Sequence, residues 1–591
     1  MTAVYGIIGD ADATELAAMG ARLAHRGAQG REWSPAARVL LGHRSRSEIA
    51  DPPGFVTFDG VLDNRDELHA LLGMRASDGA APFAGVLAWE LYRKFGVDGF
   101  SRLSGQFALA LWDASAGRLV MARDRWGART IYYARSRGRI LFASEYKALL
   151  AVPDLPARPD PDAILYAVRT HHGSPHQCFL DGVEMVPRGA WQALQGERVD
   201  GARFWDIAID IADRTETGHA ADLRSALLDA LQRQTVSLDP LGVALSGGLD
   251  SALVLAGMRR IAPEKTVHTF TVGHGGEDHE IVGARESAGH FKTEHHEIVV
   301  DSSVLPRVLP EAIWYMEDPV GGEELIYQFI AAREAAQHVN NVFTGHKSDV
   351  LFGGMPRHQL VNLAIALRPL RTMLEEFFHY TQTRRMPQSL PGRLLVKGYF
   401  RGADAFDAAV IGAKGLPLSR PIPFDTAQPL NEKLRGDILD GSSKLGVTYQ
   451  VHVANGLTWN SPFMDSELVR RAFQIPDRLK IRRLRQKYVL RRACEGLVPQ
   501  AILERKKSLQ RLRHDAQLTG VLEELADSLL SPAAVSARGI FRATDVERIR
   551  RRGADRLFSK PQISALWSLL LTEIWAQSFL DNRGQKPLPA G

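Results

Sequence analysis

GVALSGGLDSALVLAGM, residues 242–258, is the stretch on which the fold turns. An apolar strand runs into a turn of small residues and then into an apolar-periodic helix, which is the pattern of a βα unit in a parallel sheet. Ser246, Gly247 and Gly248 let backbone N–H groups approach an anion closely, the helix N-terminus adds its dipole, and Ser251 adds a hydroxyl donor. Asp250 would repel a phosphate unless a divalent cation lay between them, so its place beside the turn predicts a magnesium-bound pyrophosphate. A second stretch, FTGHKSDVLFGG at 343–354, repeats this logic with a strand end, small residues and Asp349. Ligands of parallel sheets bind beyond the carboxyl ends of the strands, so the two loops are expected to converge and Asp250 and Asp349 to share magnesium.

Outward from this unit the chain divides in two. After about Ala221, long amphipathic helices surround strands such as TVHTFTVG and NNVFTG, consistent with a parallel α/β sheet. The first 150 residues instead carry short alternating strands, YGIIG, RVLLGH, GFVTFDG, FALALWD, LVMARD, TIYYAR and ILFAS, with helical stretches at about Thr14–Ala24 and Phe83–Phe95, an α+β layered pattern. The expected units are 1–205, with the proline-rich stretch 153–162 as a connector inside it, and 215–591, with an Arg- and Leu-rich helical segment at 355–447. A length of 591 residues makes a single core improbable on physical grounds, and 45% apolar with 24% charged residues excludes a disordered chain. No run approaches the roughly 20 apolar residues of a membrane span, and the first residues lack a basic region ahead of an apolar one, so a cytoplasmic protein with no membrane partner is expected. Two cysteines, Cys178 and Cys494, are too few for a disulfide framework and lack metal-ligand spacing. The net charge of +5 is uneven: Ile481–Arg513 holds 11 Lys or Arg against two Glu, a local +9, which leaves −4 on the remainder. That patch suits a triphosphate or an acidic peptide, and no nucleic-acid partner is expected.

SGGLDS after a strand also matches the pyrophosphate loop of ATP pyrophosphatases. With these residues placed, the chain resembles the asparagine synthetase family over nearly its whole length. LAHRGAQG at 23–30, TFDGVLDNRDEL at 57–68, LSGQFALALWD at 103–113, ARDRWGARTIYY at 122–133 and LFASEYKALL at 141–150 resemble a class II glutamine amidotransferase domain. ALSGGLDS, TVG at 271–273, TGHKSDVLFGG, SPFMDSELVRRAFQIP at 461–476 and KYVLRRACEGLVPQAILERKKS at 487–508 resemble the synthetase domain. The resemblance implies an Ntn-type αββα domain followed by an ATP-pyrophosphatase-type α/β domain with a parallel sheet. It implies ATP and Mg2+ as cofactors and adenosine near Ala244, Val272, Thr344 and Gly345. It also makes Lys507 the lysine that stabilises developing charge during adenylation and amide formation, with Lys506 as an adjacent rival.

The departures from the family's pattern point to the chemistry. Glutamine-hydrolysing members use an N-terminal cysteine in a CGI context, and the matching YGI text puts Tyr5 there, behind four residues. A phenol with a pKa of about 10 is a poor acyl acceptor at neutral pH. The family's Asn-Gly-Glu text reads Asp59, Gly60, Val61; a carboxylate cannot donate to an oxyanion, and valine cannot hold an ammonium. After Gly345, where asparagine synthetases carry Glu and β-lactam synthetases Tyr, stands His346, an imidazole able to deprotonate an incoming amine. Within the family the chain therefore resembles the lasso peptide cyclases. That resemblance implies a precursor peptide substrate whose Asp or Glu side chain is adenylated and closed into a macrolactam by the peptide's own N-terminal amine, and a leader-removing protease and a leader-binding protein as partners. The alternatives are a β-lactam synthetase-like or ammonia-using asparagine synthetase-like ligase, and an inactive binding or scaffold homologue.

Overall fold

The computed structural model of the 591-residue chain describes all residues except 1, 47–53, 75–83, 176, 276–277, 368–369, 384–385, 400–407, 416–421, 423, 440–443, 506–514, 552–557 and 588–591. The first eleven strands are β1 (Thr2–Ile8), β2 (Gln29–Ala36), β3 (Val39–Ser45), β4 (Val56–Leu62), β5 (Gly105–Asp113), β6 (Arg118–Arg123), β7 (Tyr132–Ser136), β8 (Arg139–Ala143), β9 (Val183–Met185), β10 (Ala190–Gln195) and β11 (Arg198–Arg203). They pair antiparallel into a six-stranded sheet, β2-β3-β1-β8-β7-β9, and a five-stranded sheet, β11-β10-β6-β5-β4. Strand alternation sorts the side chains into layers. Val4 of β1 and Ala108 and Ala110 of β5 meet between the sheets, whereas Tyr5 and Ile7 face helix Ala13–Arg22, and Phe107, Leu109 and Leu111 face helix Ala84–Phe95. The outcome is an αββα sandwich. The stretch 153–162 is a packed turn in the described structure, because Val152 and Leu155 are buried, Pro159 bridges to Leu180, and Asp160 caps helix Pro161–Thr170.

The second half is built on β12 (Leu241–Ala244), β13 (Val267–Gly273), β14 (Glu294–Val299), β15 (Asn341–Phe343) and β16 (Thr458–Asn460), all parallel in the order β14-β13-β12-β15-β16. The first strand lies in the middle: the chain builds outward to β14, returns to β15 and continues to β16. The loops after β12 and β15 therefore leave the sheet at the point where the winding reverses, the crevice where parallel sheets bind ligands. Segment 355–447 contributes helices Pro356–Ala366, Leu370–Thr383, Leu390–Tyr399 and Pro429–Leu439.

Both halves share one apolar cluster, in which Tyr5, Met19 and Tyr132 join Phe270, Trp314 and the helix Lys560–Ala576 through Trp567, Leu570 and Trp575. The span Lys560–Asp581 is long and apolar enough to cross a membrane by length and composition, but 78% of its apolar window is buried inside the protein. It is a core helix, apolar on every face because every face meets protein. Trp575 Nε1 donates to Tyr146 Oη at 2.8 Å and to the Glu317 carbonyl at 2.9 Å, which ties the two halves at its centre.

Candidate active site

The expected loops do converge. A Cβ added to Gly345 would lie 2.4 Å from Asp250 Cβ and 2.8 Å from the Ser251 nitrogen, so the loop after β15 touches the start of helix Leu249–Ile261 and only glycine fits. Ala244 and Val272 close the carboxyl ends of β12 and β13, and Thr344 with Gly345 follows β15. The residues expected around adenosine thus occupy three adjacent strand ends. Lys507 lies outside the described residues.

The loop 246–248 differs from its expected form in one respect. Its amides, expected to face an anion, are satisfied internally: Ser246 N–H donates to Ser251 Oγ (3.1 Å), Gly247 N–H to Glu280 Oε2 (3.0 Å) and Gly248 N–H to Ser246 Oγ (3.2 Å). Two of the acceptors are serine hydroxyls next to the turn, and the third is Glu280, a buried residue of helix His279–Phe291, which brings a carboxylate to the place where a phosphate oxygen would accept from Gly247. Arg505 holds the other side of the loop, donating to the Gly247 and Gly283 carbonyls at 2.9 and 2.8 Å.

Asp250 and Asp349 meet over a third group, Lys487. Its ammonium lies 2.5 Å from Asp250 Oδ2 and 2.7 Å from Asp349 Oδ1, and donates to Ser348 Oγ at 3.0 Å. Lys487 is 5% exposed, and although burial favours its neutral form, the two carboxylates hold its pKa above the ordinary lysine value. Asp250 Oδ1 is buried and has no hydrogen-bond partner among the described residues. Two carboxylates, one with an unanswered oxygen, beside the hydroxyls of Ser246, Ser251 and Ser348, make a hard oxygen-donor set that fits magnesium. When bound, magnesium would neutralise pyrophosphate between the two loops. Lys487 opens the block KYVLRR, yet one lysine in a basic run gives no sign of being buried. Glu280 carried no signal at all. The basic patch is consequently dispersed: Lys487 is inside the site, Arg505 braces the loop, Arg482 pairs with Glu216 at 2.8 Å, and 506–514 lie outside the described residues.

His346 sits beyond this pair. Its ring meets Trp459 edge-on with centroids 5.6 Å apart, and its carbonyl accepts from Ser461 Oγ at 2.8 Å. Lys347 follows at φ +75°, and burial, reinforced by the nearby Arg188, pushes its amine down to about 7.

In the first domain, Tyr5 is fully buried and its hydroxyl donates to Glu32 Oε1 at 3.0 Å; burial and that carboxylate push its pKa well up. The ring fills its own niche, since a Cβ at Gly42 would lie 2.2 Å from it and one at Gly20 2.5 Å from its hydroxyl. Asp59 is equally enclosed. Arg26 pairs with it at 2.6 Å, Arg129 approaches at 3.5 Å, and Thr2 and Ser144 hydroxyls donate to it. The chain of charge continues through Arg26–Glu145 (3.1 Å), Lys147–Glu145 (2.6 Å) and Lys147–Glu317 (3.8 Å), crossing into the second domain, where Lys444 meets the adjacent Asp318 at 2.7 Å.

Residues 222–577 match the asparagine synthase family, and residues 1–205 match the glutamine amidotransferase domain. A putative glutamine-hydrolyzing asparagine synthetase of Mycobacterium tuberculosis (strain ATCC 25618 / H37Rv) is 28% identical over 580 residues, covering 89% of this chain and 85% of its own. The glutamine-hydrolyzing asparagine synthetase 1 of Bacillus subtilis (strain 168) is 24% identical over 570 residues, covering 90% and 87%. Among solved structures, a glutamine phosphoribosylpyrophosphate amidotransferase from B. subtilis covers 51% of this chain and 92% of its own at 12% identity and a TM-score of 0.28, too low to argue from. The chain belongs to the asparagine synthase family, with an Ntn amidotransferase-like domain ahead of an ATP-dependent, AMP-forming carbon–nitrogen ligase domain.

Proposed function

We propose that this ligase closes a macrolactam in a ribosomally made peptide, in the manner of lasso peptide cyclases, and that it has no glutaminase activity. The observation that carries the reading is the first domain's interior: Tyr5 has no exposed surface and Asp59 is locked among guanidinium groups. A sealed phenol cannot be acylated, and a run of ion pairs from Asp59 through Arg26, Glu145 and Lys147 to Glu317 ties the first domain to the second. The amine must then arrive with the acceptor.

In the second domain a peptide side-chain carboxylate oxygen attacks the α-phosphorus of ATP, and pyrophosphate leaves with the electron pair of the broken P–O bond. Lys487, together with a magnesium ion that Asp250 and Asp349 would hold, would balance its charge. The peptide's N-terminal amine next attacks the acyl carbon, AMP leaves, and the amine's proton passes to a base, for which His346 is placed beside the strand ends. Carboxylate, amine and ATP become amide, AMP and pyrophosphate. Intramolecular attack suits an enzyme without an ammonia source, because a held amine reaches an effective molarity of about 10⁵ M or more. A leader-removing protease and a leader-binding protein would complete the system in the cytoplasm.

The test incubates the full-length protein with ATP, Mg2+ and candidate core peptides encoded by neighbouring short reading frames. Expected are AMP release and a peptide lighter by one water, with no glutamate formed from glutamine. Asparagine made from aspartate and ammonia, or glutamate release, would overturn the reading.

A further inference from the structure

A second constellation lies away from the adenylation loops. Register pairs Phe270 of β13 with His296 of β14, so His296 shares a sheet face with Phe270 and with His268, two residues earlier. His338 joins them from the turn after helix Glu324–Ala335, which packs on β13. His268 Nδ1 is 3.1 Å from His296 Nε2, the His296 and His338 ring centroids are 4.1 Å apart, and one ring nitrogen from each of the three lies within 4.8 Å of the others. Two carboxylates flank the group: Glu294 Oε2 at 3.5 Å from His268 Nδ1, and Glu334 Oε1 at 3.2 Å from His338 Nε2. All three histidines are partly exposed, so an ion has a way in.

The donor set is specific in kind. Two Zn–N bonds of about 2.0–2.1 Å at a tetrahedral angle place their nitrogens about 3.3 Å apart, close to the shortest separation here and within a rotamer adjustment of the others. Burial, then the neighbouring His338 and His268, keeps His296 below its ordinary pKa, which leaves its lone pair for a metal. We propose that His268, His296 and His338, with Glu294 or Glu334 as a fourth ligand, bind a divalent transition metal, zinc foremost.

This site is separate from the magnesium site in place and in chemistry. His268 is in register with Gly242, near the amino ends of the strands, whereas Asp250 and Asp349 follow the carboxyl ends. Imidazole nitrogen selects zinc, cobalt, nickel or copper; carboxylate and hydroxyl oxygen select magnesium. A bound ion would fasten the end of helix Glu324–Ala335 to the sheet edge, and that helix leads directly into β15 and the loop carrying His346 and Asp349. It would act as a clamp on an element that positions the site, without touching substrate.

The test titrates Co2+ into chelator-stripped full-length protein in excess Mg2+, which occupies the oxygen site. One equivalent of Co2+ should give saturable visible absorption, lost on adding Zn2+, and Zn2+ should raise the melting temperature. His296→Ala and His338→Gln should each weaken Co2+ binding at least tenfold, while Asp250→Asn leaves it intact. His338→Gln lies in a half-exposed turn and keeps the experiment decisive if His296→Ala misfolds. Absence of a saturable spectrum, its persistence when His296→Ala and His338→Gln are combined, or its loss in Asp250→Asn would overturn the proposal.

Discussion

At the scale of single residues, Lys487 changes how the site is understood. It sits between two carboxylates that are otherwise meant for a cation, so removing it exposes two buried like charges to one another. Breaking a buried ion pair by deleting one partner costs about 3–5 kcal/mol. Lys487→Met should therefore melt well below the wild type, and magnesium should recover part of the loss by taking the ammonium's place. Melting curves with and without MgCl2 decide it: a magnesium-induced rise larger in the variant is expected, and equal rises would refute it. The contrast between Asp250 and Lys487 also shows what a sequence reveals. Asp250 was legible because it stands in a fixed position after a strand and a small-residue turn, a setting with one chemical sense. Lys487 stands among arginines, and whether a lysine is buried depends on partners 237 and 138 positions away in the chain, Asp250 and Asp349. The acceptor on the Gly247 amide was hidden for the same reason, since Glu280 belongs to another helix.

At the scale of elements, the site depends on how closely the β15 loop can approach helix Leu249–Ile261. Gly345→Ala would set a methyl group against backbone and Cβ atoms of Asp250 that cannot swing aside, 2.7 Å from its carbonyl carbon. The loops must then part by something near an ångström, and displacements of that size cost about 100-fold in turnover. ATP–pyrophosphate exchange should fall by that order while circular dichroism stays native; unchanged exchange would show that the loops need not touch. The elements themselves were legible broadly in step with their burial. Of the strands read from their alternation, β1, β3, β5, β6, β7 and β8 have neighbours on both sides, and β4, an edge strand, is buried against helix Ala84–Phe95. Of the described strands that pattern alone does not single out, β2, β9, β11, β14 and β16 are edge strands and β10 lies inside a sheet. An edge strand has a solvated side and tolerates polar text: EHHEIV in β14 reads as a loop until its pairing with β13 is seen.

For the whole molecule, stability rests on interiors that hold ionisable groups in one protonation state, and this gives it a marked acid limit. Lys147 is fully buried between Glu145 and Glu317, with its side-chain nitrogen 4.2 Å from the Trp314 ring centre. Lys147→Met should cost about 3–5 kcal/mol in urea unfolding and loosen the seam between the domains; a loss under 1 kcal/mol would show that the seam holds without it. The histidines set the pH dependence. Burial pushes His43 in the first domain and His452 in the second down to about 4. Each is neutral in the folded chain and titrates near 6.5 once unfolded, so the unfolded state takes up protons first as the pH falls. Their contribution is complete above pH 6.5 and is lost progressively between 6.5 and 4, about 2 kcal/mol per histidine by pH 5. His452 is the cleaner probe, because among the described residues its Nδ1 bonds only the Thr448 carbonyl, at 2.6 Å, and burial dominates its shift. His452→Gln can keep a donor to that carbonyl without acquiring a charge. Its unfolding free energy should thus fall about 2 kcal/mol less than the wild type's between pH 7.5 and 5, whatever its starting stability. Parallel curves for the two proteins would mean that His452 is protonated in the folded state, and that water reaches an interior the packing shows as closed.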